Sequence, residues 1–153
     1  METKSREIFR DAFATMLSSA ITGVGQPVQA VYNYLKGTLS GESPVVMVTS
    51  GPILRKIAGM GTRQFKMKVG LNLIVMVAKP PASPPGNNEL VVDDLVDTIE
   101  ALIADVVSAN QNNDGVWNDL KYTDQPNEPM NGHDLDGHPY VVEIIRLEAM
   151  LYD

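Results

Sequence analysis

Two histidines and two aspartates occur in one short stretch of the chain, and their side chains could bind a metal ion. They are His133, Asp134, Asp136 and His138, in the stretch NGHDLDGHPY at 131–140. Imidazole nitrogens together with carboxylate oxygens suit zinc or manganese. A calcium loop is not indicated, because the further acids that such a loop requires are missing. One hypothesis is therefore a small metal-dependent hydrolase that uses these four residues.

The same stretch also has the composition of a turn. Asn131-Gly132, Asp136-Gly137 and His138-Pro139 are dipeptides that favour turns, and they directly precede an apolar run. Polar side chains are expected in such a turn with or without a metal. We therefore predict an exposed loop before the last strand, with no bound metal, no cofactor and no catalytic residue.

Other sequence patterns for catalysis or nucleotide binding are missing. The chain has no cysteine, which excludes disulfides, thiolate metal sites and cysteine nucleophiles. Gly23-Val24-Gly25 lacks the third glycine of a dinucleotide-binding turn. We expect a protein that is not an enzyme.

Two segments, 4–20 and 89–109, show the spacing of amphipathic helices, with apolar residues three and four positions apart. A shorter helix is predicted over 27–37, because Pro27 suits a first turn and apolar residues recur behind it. In the segment 89–109, Asp93, Asp94 and Asp97 face away from the apolar stripe. That stripe consists of Val92, Leu95, Val96, Ile99, Leu102, Ile103 and Val106.

The strongest strand signal is TRQFKMKVGLNLIVMVA at 62–78, where apolar residues occupy the odd positions from Phe65 to Val77. This alternation predicts one buried face and one solvated, basic face. Beyond Leu73 the even positions also become apolar, at Ile74 and Met76. We therefore expect the second face to be covered there, either by a helix of the same chain or by a neighbouring subunit.

The remaining segments complete an α+β arrangement. Strands are predicted at 45–51, weakly at 53–57, and at 140–152, where a slip in the alternation indicates a bulge or burial on both faces. The proline-rich segment 79–88 predicts a fixed extended loop rather than an SH3-type ligand, and 110–139 is irregular. Both segments are polar enough to become ordered only on assembly. We predict a single domain with a mostly antiparallel sheet, on which the N-terminal helix and the 89–109 helix pack.

Charge is distributed unevenly along the chain. Residues 43–88 carry six bases and no acid, whereas 89–153 carry fifteen acids and two bases. Such segments can bind nucleic acid, join subunits head to tail, or neutralise each other within one subunit. The basic strand has no interleaved aromatic residue or flanking basic helix, which favours a charged sheet face or a subunit contact over a nucleic-acid binder. The candidate interface residues are Arg55, Lys56, Arg63, Lys66, Lys68, Ile74, Met76, Asp93, Asp94 and Asp97.

No membrane partner is expected. The N-terminus METKSREIFRDAF lacks the apolar core of a signal peptide, and the longest apolar run, Leu73 to Ala78, is too short to span a bilayer. We expect a chain that is cytoplasmic or assembled in a cytoplasm.

The order of the predicted elements resembles that of the tail terminator proteins of long-tailed bacteriophages, of the lambda type. The shared layout is an N-terminal helix, a short strand, a long alternating strand, a proline-containing loop, an acidic helix, a polar stretch with Trp117, and a C-terminal strand. The resemblance covers residues 44–152. The predicted helix over 27–37 and the long segment 110–139 go beyond this layout.

This resemblance implies a structural protein in the tail or neck of a virion, assembled in the host cytoplasm. Terminator proteins form a hexameric ring on the last ring of the tail tube, stop its polymerisation and join it to the head connector. The implied partners are further copies of this chain, the tail tube protein and a head connector or neck protein. Genome DNA would pass through the ring without specific binding. Another neck or head–tail adaptor protein of the same virion is the nearest alternative.

Overall fold

Two helices pack on one face of a six-stranded sheet, which confirms the predicted α+β fold class. The computed structural model describes residues 5–57, 65–79, 87–113 and 115–152. Most of the proline-rich loop predicted at 79–88 lies outside these ranges. The elements are α1 (Ser5–Ile21), β1 (Ala30–Tyr32), β2 (Val45–Ile57), β3 (Phe65–Ala78), α2 (Asn87–Ala109), β4 (Asn118–Tyr122), β5 (Met130–His133) and β6 (Pro139–Tyr152).

The two helices lie where their apolar spacing predicts them. α1 ends before Gly23 and Gly25, whose positive φ angles of 109° and 80° are conformations that glycine adopts readily. α2 buries its predicted apolar stripe; Ile99 and Ile103, at its centre, are fully inaccessible to solvent. Within the described ranges, no helix is both long and apolar enough to cross a bilayer.

The sheet is mostly antiparallel, with the strand order β1-β2-β3-β6-β4 and with β5 also paired to β6. Its centre is the β3–β6 ladder, which keeps one register from Lys66 opposite Tyr152 to Ala78 opposite Tyr140. The slip in the alternation of β6 therefore arises from burial on both faces and not from a bulge. Glu143 occupies a position on the helix-covered face, between Val141 and Ile145.

The helix-covered face contains the main hydrophobic core. The odd residues of β3, from Met67 to Val77, are buried there against Phe9 and Phe13 of α1 and the apolar stripe of α2. A smaller second cluster covers part of the opposite face. It consists of Leu39, Val45, Met47, Met76 and Tyr140, with the partly buried Tyr32, Ile74, Ala78 and Val142 against it.

The two strands predicted at 45–51 and 53–57 are one continuous strand, β2, interrupted by a bulge. Its register with β3 shifts between Ser50 and Ile53. Gly51 and Gly70 approach closely at this point, since a Cβ on Gly51 would lie 3.0 Å from the backbone carbon of Gly70. Pro52 has no N–H to donate, which a bulge tolerates. The Gly-Pro pair therefore bends the strand without ending it.

The helix predicted over 27–37 is wrong, because this segment contains the short edge strand β1. Ala30 to Tyr32 pair in parallel with Val45 to Met47. Leu35, which belonged to the predicted apolar face, is 68% exposed, whereas Val28 is buried. β-branched and aromatic side chains fit such a sheet edge, and the packing against β2 overrides the helical spacing.

The segment 110–139 is less irregular than predicted, since it contains β4 and β5. Both strands pair with β6, β4 near Met150 and Leu147 and β5 near Val142 and Tyr140. Trp117, just before β4, is fully buried, with its ring centroid 5.4 Å from that of Phe9. Its indole Nε1 donates a hydrogen bond to the Asn110 carbonyl over 2.8 Å.

We predict that Trp117→Ala destabilises the fold strongly. The substitution leaves a cavity beside Phe9 and removes the hydrogen bond to Asn110, and a large aromatic residue lost from a core costs about 3–5 kcal/mol. Urea unfolding followed by far-ultraviolet circular dichroism measures the difference in free energy of unfolding. The control is Val24→Ala, because the Val24 side chain is fully exposed. A Trp117→Ala variant as stable as this control would contradict the assignment of Trp117 to the core.

Candidate functional site

The stretch with both histidines forms the loop between β5 and β6. Within it the Asp134 N–H donates to the His138 carbonyl over 3.1 Å, and the Gly137 N–H donates to the Asp134 carbonyl over 3.1 Å. Gly137 has a φ of 83°, a left-handed conformation that suits glycine in a turn. The structure thus places Asp136-Gly137 and His138 in a tight loop, here called the histidine loop (residues 133–138). The turn predicted at Asn131-Gly132 is wrong, because these residues pair with Val141 and Tyr140 as part of β5.

The carboxylate of Asp134 is the centre of the histidine loop. It is 4% exposed, although its neighbours in the loop are on the surface. Its Oδ1 accepts the backbone N–H groups of Asp136 at 3.0 Å and His138 at 2.9 Å. Its Oδ2 lies 3.3 Å from Nδ1 of His138 and 3.5 Å from the backbone N of Leu39. Both carboxylate oxygens therefore already have hydrogen-bond partners.

Three of the four predicted metal ligands are brought together by this loop. Potential ligand atoms of Asp134, Asp136 and His138 all lie within 4.8 Å of one another, while His133 is not part of this group. A cation would have to compete with the N–H donors that already occupy the Asp134 oxygens. The buried carboxylate of Asp134 therefore stabilises the turn through hydrogen bonds. This geometry favours a structural role for the loop.

The histidine loop holds the segment 37–43 against the second cluster. The Leu135 N–H donates to the Gly37 carbonyl over 2.9 Å. The Tyr140 hydroxyl donates to the Glu42 carbonyl over 3.0 Å, and Ser43 Oγ accepts the Ala78 N–H at 2.8 Å. Asp134 is thus part of a network of hydrogen bonds that fixes Leu39 over the sheet.

This arrangement shows what covers the end of β3 at which both faces of the strand carry apolar side chains. Ile74 and Met76 pack in the second cluster under Leu39 and Tyr32, and Met76 is 8% exposed. The cover is supplied by the chain itself, but by the 32–43 segment and not by a helix. We therefore do not include Ile74 and Met76 in a subunit contact.

The predicted basic residues lie around the other end of the β2–β3 pair. Arg55 is exposed, and its Nε lies 3.3 Å from the sulfur of Met67. Lys68 forms an ion pair of 3.2 Å with Glu148. Lys56 and Lys66 occupy directly opposite positions of the two strands, and Arg63 lies outside the described residues.

The predicted acidic residues lie on α2, on the helix-covered side of the sheet. Asp93, Asp94 and Asp97 are exposed on α2, whose opposite side packs on the main core. Within the described ranges no ion pair joins an acid of α2 to a base. Among the described side chains, the structure therefore does not pair the basic candidates Arg55 and Lys68 with the acidic candidates of α2.

Glu143 and Tyr122 are buried polar groups that the sequence analysis did not select. Glu143 is 6% exposed, and burial followed by the charges of Glu100 and Asp97 raises its carboxyl pKa. The Tyr122 hydroxyl is buried without a hydrogen-bond partner among the described residues. Burial, then the charges of Glu100, Glu143 and Asp105, raises its pKa to about 12. A lone acid on the apolar face of an alternating strand is the signal that could have identified Glu143.

Comparison with known proteins shows no family for this chain. No protein-family model matches the chain, and no curated protein matches it in sequence. A chain from the solved structure described as "Virion of native gene transfer agent (GTA) particle" is similar, with 12% sequence identity and a TM-score of 0.45. The similarity covers 96% of this chain and 93% of that chain. A likeness at this identity and TM-score carries no argument about the fold or the function.

We predict that Asp134→Asn lowers the stability of the folded protein at neutral pH, and that this loss of stability disappears in acid. Burial alone would raise the pKa of Asp134, but the hydrogen bonds from His138 and Leu39 outweigh burial and lower it. A lowered pKa means that the charged carboxylate stabilises the fold above its ordinary value of 3.8. This stabilisation is lost as the pH falls through the lower pKa of the folded state. Thermal unfolding of both proteins from pH 7 to pH 2.5 measures the difference.

The same experiment separates the turn from a metal site. Because Asp136 is exposed, Asp136→Asn is the matched control and should leave the melting temperature nearly unchanged. Zn²⁺ and Mn²⁺ should stabilise neither the wild type nor this control. If either ion raised the melting temperature of the wild type but not that of Asp136→Asn, the result would favour the metal-dependent alternative.

We predict that Glu143→Gln stabilises the protein at neutral pH. A carboxyl with a raised pKa favours the folded state below its ordinary value of 4.5, and this contribution is lost as the pH rises through the folded value. Glutamine is neutral throughout, so the gain should be present at pH 7 and absent below about pH 4.5. Denaturant unfolding at several pH values measures it.

The exposed Glu128 provides the control, because Glu128→Gln also removes one negative charge, but from an exposed carboxylate and not from a buried one. This variant should match the wild type at every pH. If Glu143→Gln increased the free energy of unfolding equally at all pH values, the increase would come from the shape of the side chain and not from its charge.

Proposed function

We propose that this chain is a structural protein of a bacteriophage-type virion, with the role of a tail terminator. The observation that carries the proposal is the order of elements. An N-terminal helix, two long antiparallel strands, an acidic helix, a segment with a buried Trp117 and a long C-terminal strand follow one another. The sequence resemblance describes the same order, with a short strand where the structure has the long β2. The strand β1, within the segment 27–37, and the long segment 110–139 go beyond that layout.

In this role the chain forms a ring that caps the tail tube, stops its polymerisation and presents a surface to the head connector. The hexameric number comes from the resemblance. The charge distribution agrees with self-association, since among the described residues no base forms an ion pair with the exposed acids of α2. Oppositely charged surfaces steer subunits together and set their orientation.

A non-enzymatic role agrees with the chemistry of the histidine loop. Asp134, its one buried carboxylate, accepts hydrogen bonds that hold the turn and the Leu39 segment. The alternative, a small metal-dependent hydrolase, draws on the grouping of Asp134 with Asp136 and His138. It would require the cation to replace N–H donors at Asp134, which is why we place it second.

We predict that the purified protein forms rings and limits the growth of tail tubes. Mass photometry and negative-stain microscopy should show a ring of fixed copy number, six by the resemblance. Added to tail tube protein from the same genome while it polymerises, the chain should shorten the tubes and appear as a cap at one end. The shortening should increase with the molar ratio of this chain to tube protein.

Tube protein with an unrelated acidic protein of similar size is the control, and its tubes should keep their length. A chain that stays monomeric at high concentration and leaves tube length unchanged would contradict the terminator role. A ring that binds the head connector but never a tube would instead identify another neck or head–tail adaptor protein.

A further inference from the structure

Glu143 is a buried acid without a partner in its own subunit. It is 6% exposed and lies on the helix-covered face of the sheet, between Val141 and Ile145 of the main core. Among the described residues, its carboxylate has neither an ion pair nor a hydrogen bond. Buried polar groups of folded proteins are nearly always hydrogen-bonded, so this exception requires an explanation.

The hydroxyl of Tyr122 is a second unpartnered group on the same face. Tyr122 lies opposite Leu147 in the pairing of β4 with β6, and its side chain packs against the main core. The hydroxyl oxygen is buried and has no hydrogen-bond partner among the described residues. Burial, followed by the charges of Glu100 and Glu143, raises the pKa of this hydroxyl. The hydroxyl and the two carboxylates therefore lie near one another.

The helix α2 adds acids beside these two groups, and no base. Residues 89–105 contain six acids and no base. Asp97 and Glu100 are three positions apart, so they are neighbours on the helix surface; Asp97 is exposed and Glu100 is half-buried. Within the described ranges, no base forms an ion pair with either of them. The charge around Glu143 is therefore negative, and it favours a cation.

The edge of the sheet is interrupted beside Glu143. β4 ends at Tyr122, and β5 begins only at Met130, opposite Val142 of β6. Residues 143–145 of β6 therefore have no partner strand on this side among the described residues. The Glu143 side chain thus lies between α2 and a break in the sheet edge.

We infer that Glu143, Glu100 and the Tyr122 hydroxyl, here called the Glu143 cluster, bind an arginine side chain of a partner protein. The guanidinium enters at the break in the sheet edge and donates hydrogen bonds to the two carboxylates, with the hydroxyl oxygen of Tyr122 as a further acceptor. Its five N–H donors form a rigid planar fork that can bridge acceptors on different elements. It is also more weakly hydrated than an ammonium ion, which suits a site that is largely buried.

A metal ion fits the Glu143 cluster less well than a guanidinium. A metal ion requires several ligand atoms at about 2.0–2.6 Å from itself, and therefore close to one another. Among the described residues, three such ligands lie within 4.8 Å of one another in the histidine loop, whereas Glu143 and Glu100 belong to no group of this kind. A guanidinium reaches acceptors that are farther apart, because its donors point in several directions.

The inference goes beyond the proposed ring and does not depend on it. All three acceptors belong to one subunit, so the site can be tested with a small peptide whether or not the chain assembles. The probe is acetyl-alanyl-arginyl-alanine amide, titrated into ¹⁵N-labelled protein and followed by ¹H–¹⁵N NMR. We expect saturable shift changes that are concentrated at Tyr122, Glu143 and Glu100.

Two further peptides separate charge from shape. Citrulline in place of arginine keeps the planar shape without the charge, and this peptide should cause no saturable change. Lysine in place of arginine keeps the charge without the fork, and this peptide should bind on the order of 10-fold more weakly.

A pair of variants tests the contribution of the buried acid. Glu143→Gln removes its charge and should weaken binding of the arginine peptide on the order of 10-fold. Asp93→Asn is the matched control, because it removes one exposed acid from the same helix, and it should change the affinity by less than about twofold. Circular dichroism checks that both variants are folded.

Each outcome supports or contradicts the Glu143 cluster as an arginine site. The site is contradicted if the arginine peptide causes no saturable shift at these residues, or if the citrulline peptide or the Glu143→Gln variant binds as well. Saturable shifts at the same residues with Mg²⁺ or Ca²⁺, but not with the peptide, would assign the cluster to a metal ion. A chain that forms no rings but binds the peptide at these residues contradicts the proposed function and supports the site.

Discussion

The antiparallel pairing of β3 with β6 determines most of the structure. Its register runs without a shift from Lys66 opposite Tyr152 to Ala78 opposite Tyr140. One set of alternate residues therefore faces both helices, and the other set faces the second cluster. A slip by one residue would exchange the two faces and expose the main core. The core and the edge strands both depend on this single register.

The sequence predicted the elements whose signal is local and repeated. The alternation in β3 and the apolar stripe of α2 extend over many residues, so each element could be read without knowing its neighbours. The helix over 27–37 was wrong because four apolar residues matched helical spacing, whereas the pairing of Ala30–Tyr32 with β2 decided the conformation. β4 and β5 are short and polar, and they are strands because β6 offers them an unpaired edge.

The candidate site was predictable in its residue types but not in its role. The short spacing of Asp134, Asp136 and His138 in the sequence suggested that their side chains could lie close together, and the structure places their possible ligand atoms within 4.8 Å of one another. The contact of Asp134 with Leu39 joins residues far apart in the chain and could not be inferred from spacing.

Burial of Glu143 connects the core to the acidic surface of α2. Its pKa is raised first by burial and then by Glu100 and Asp97 of α2, so part of the repulsion comes from the helix surface. A cation placed against Asp97 would offset that charge and reduce the repulsion that Glu143 experiences. A partner that binds only the folded chain also stabilises it by mass action. A cationic partner bound on α2 would therefore stabilise the subunit through Glu143 as well as through its direct contacts.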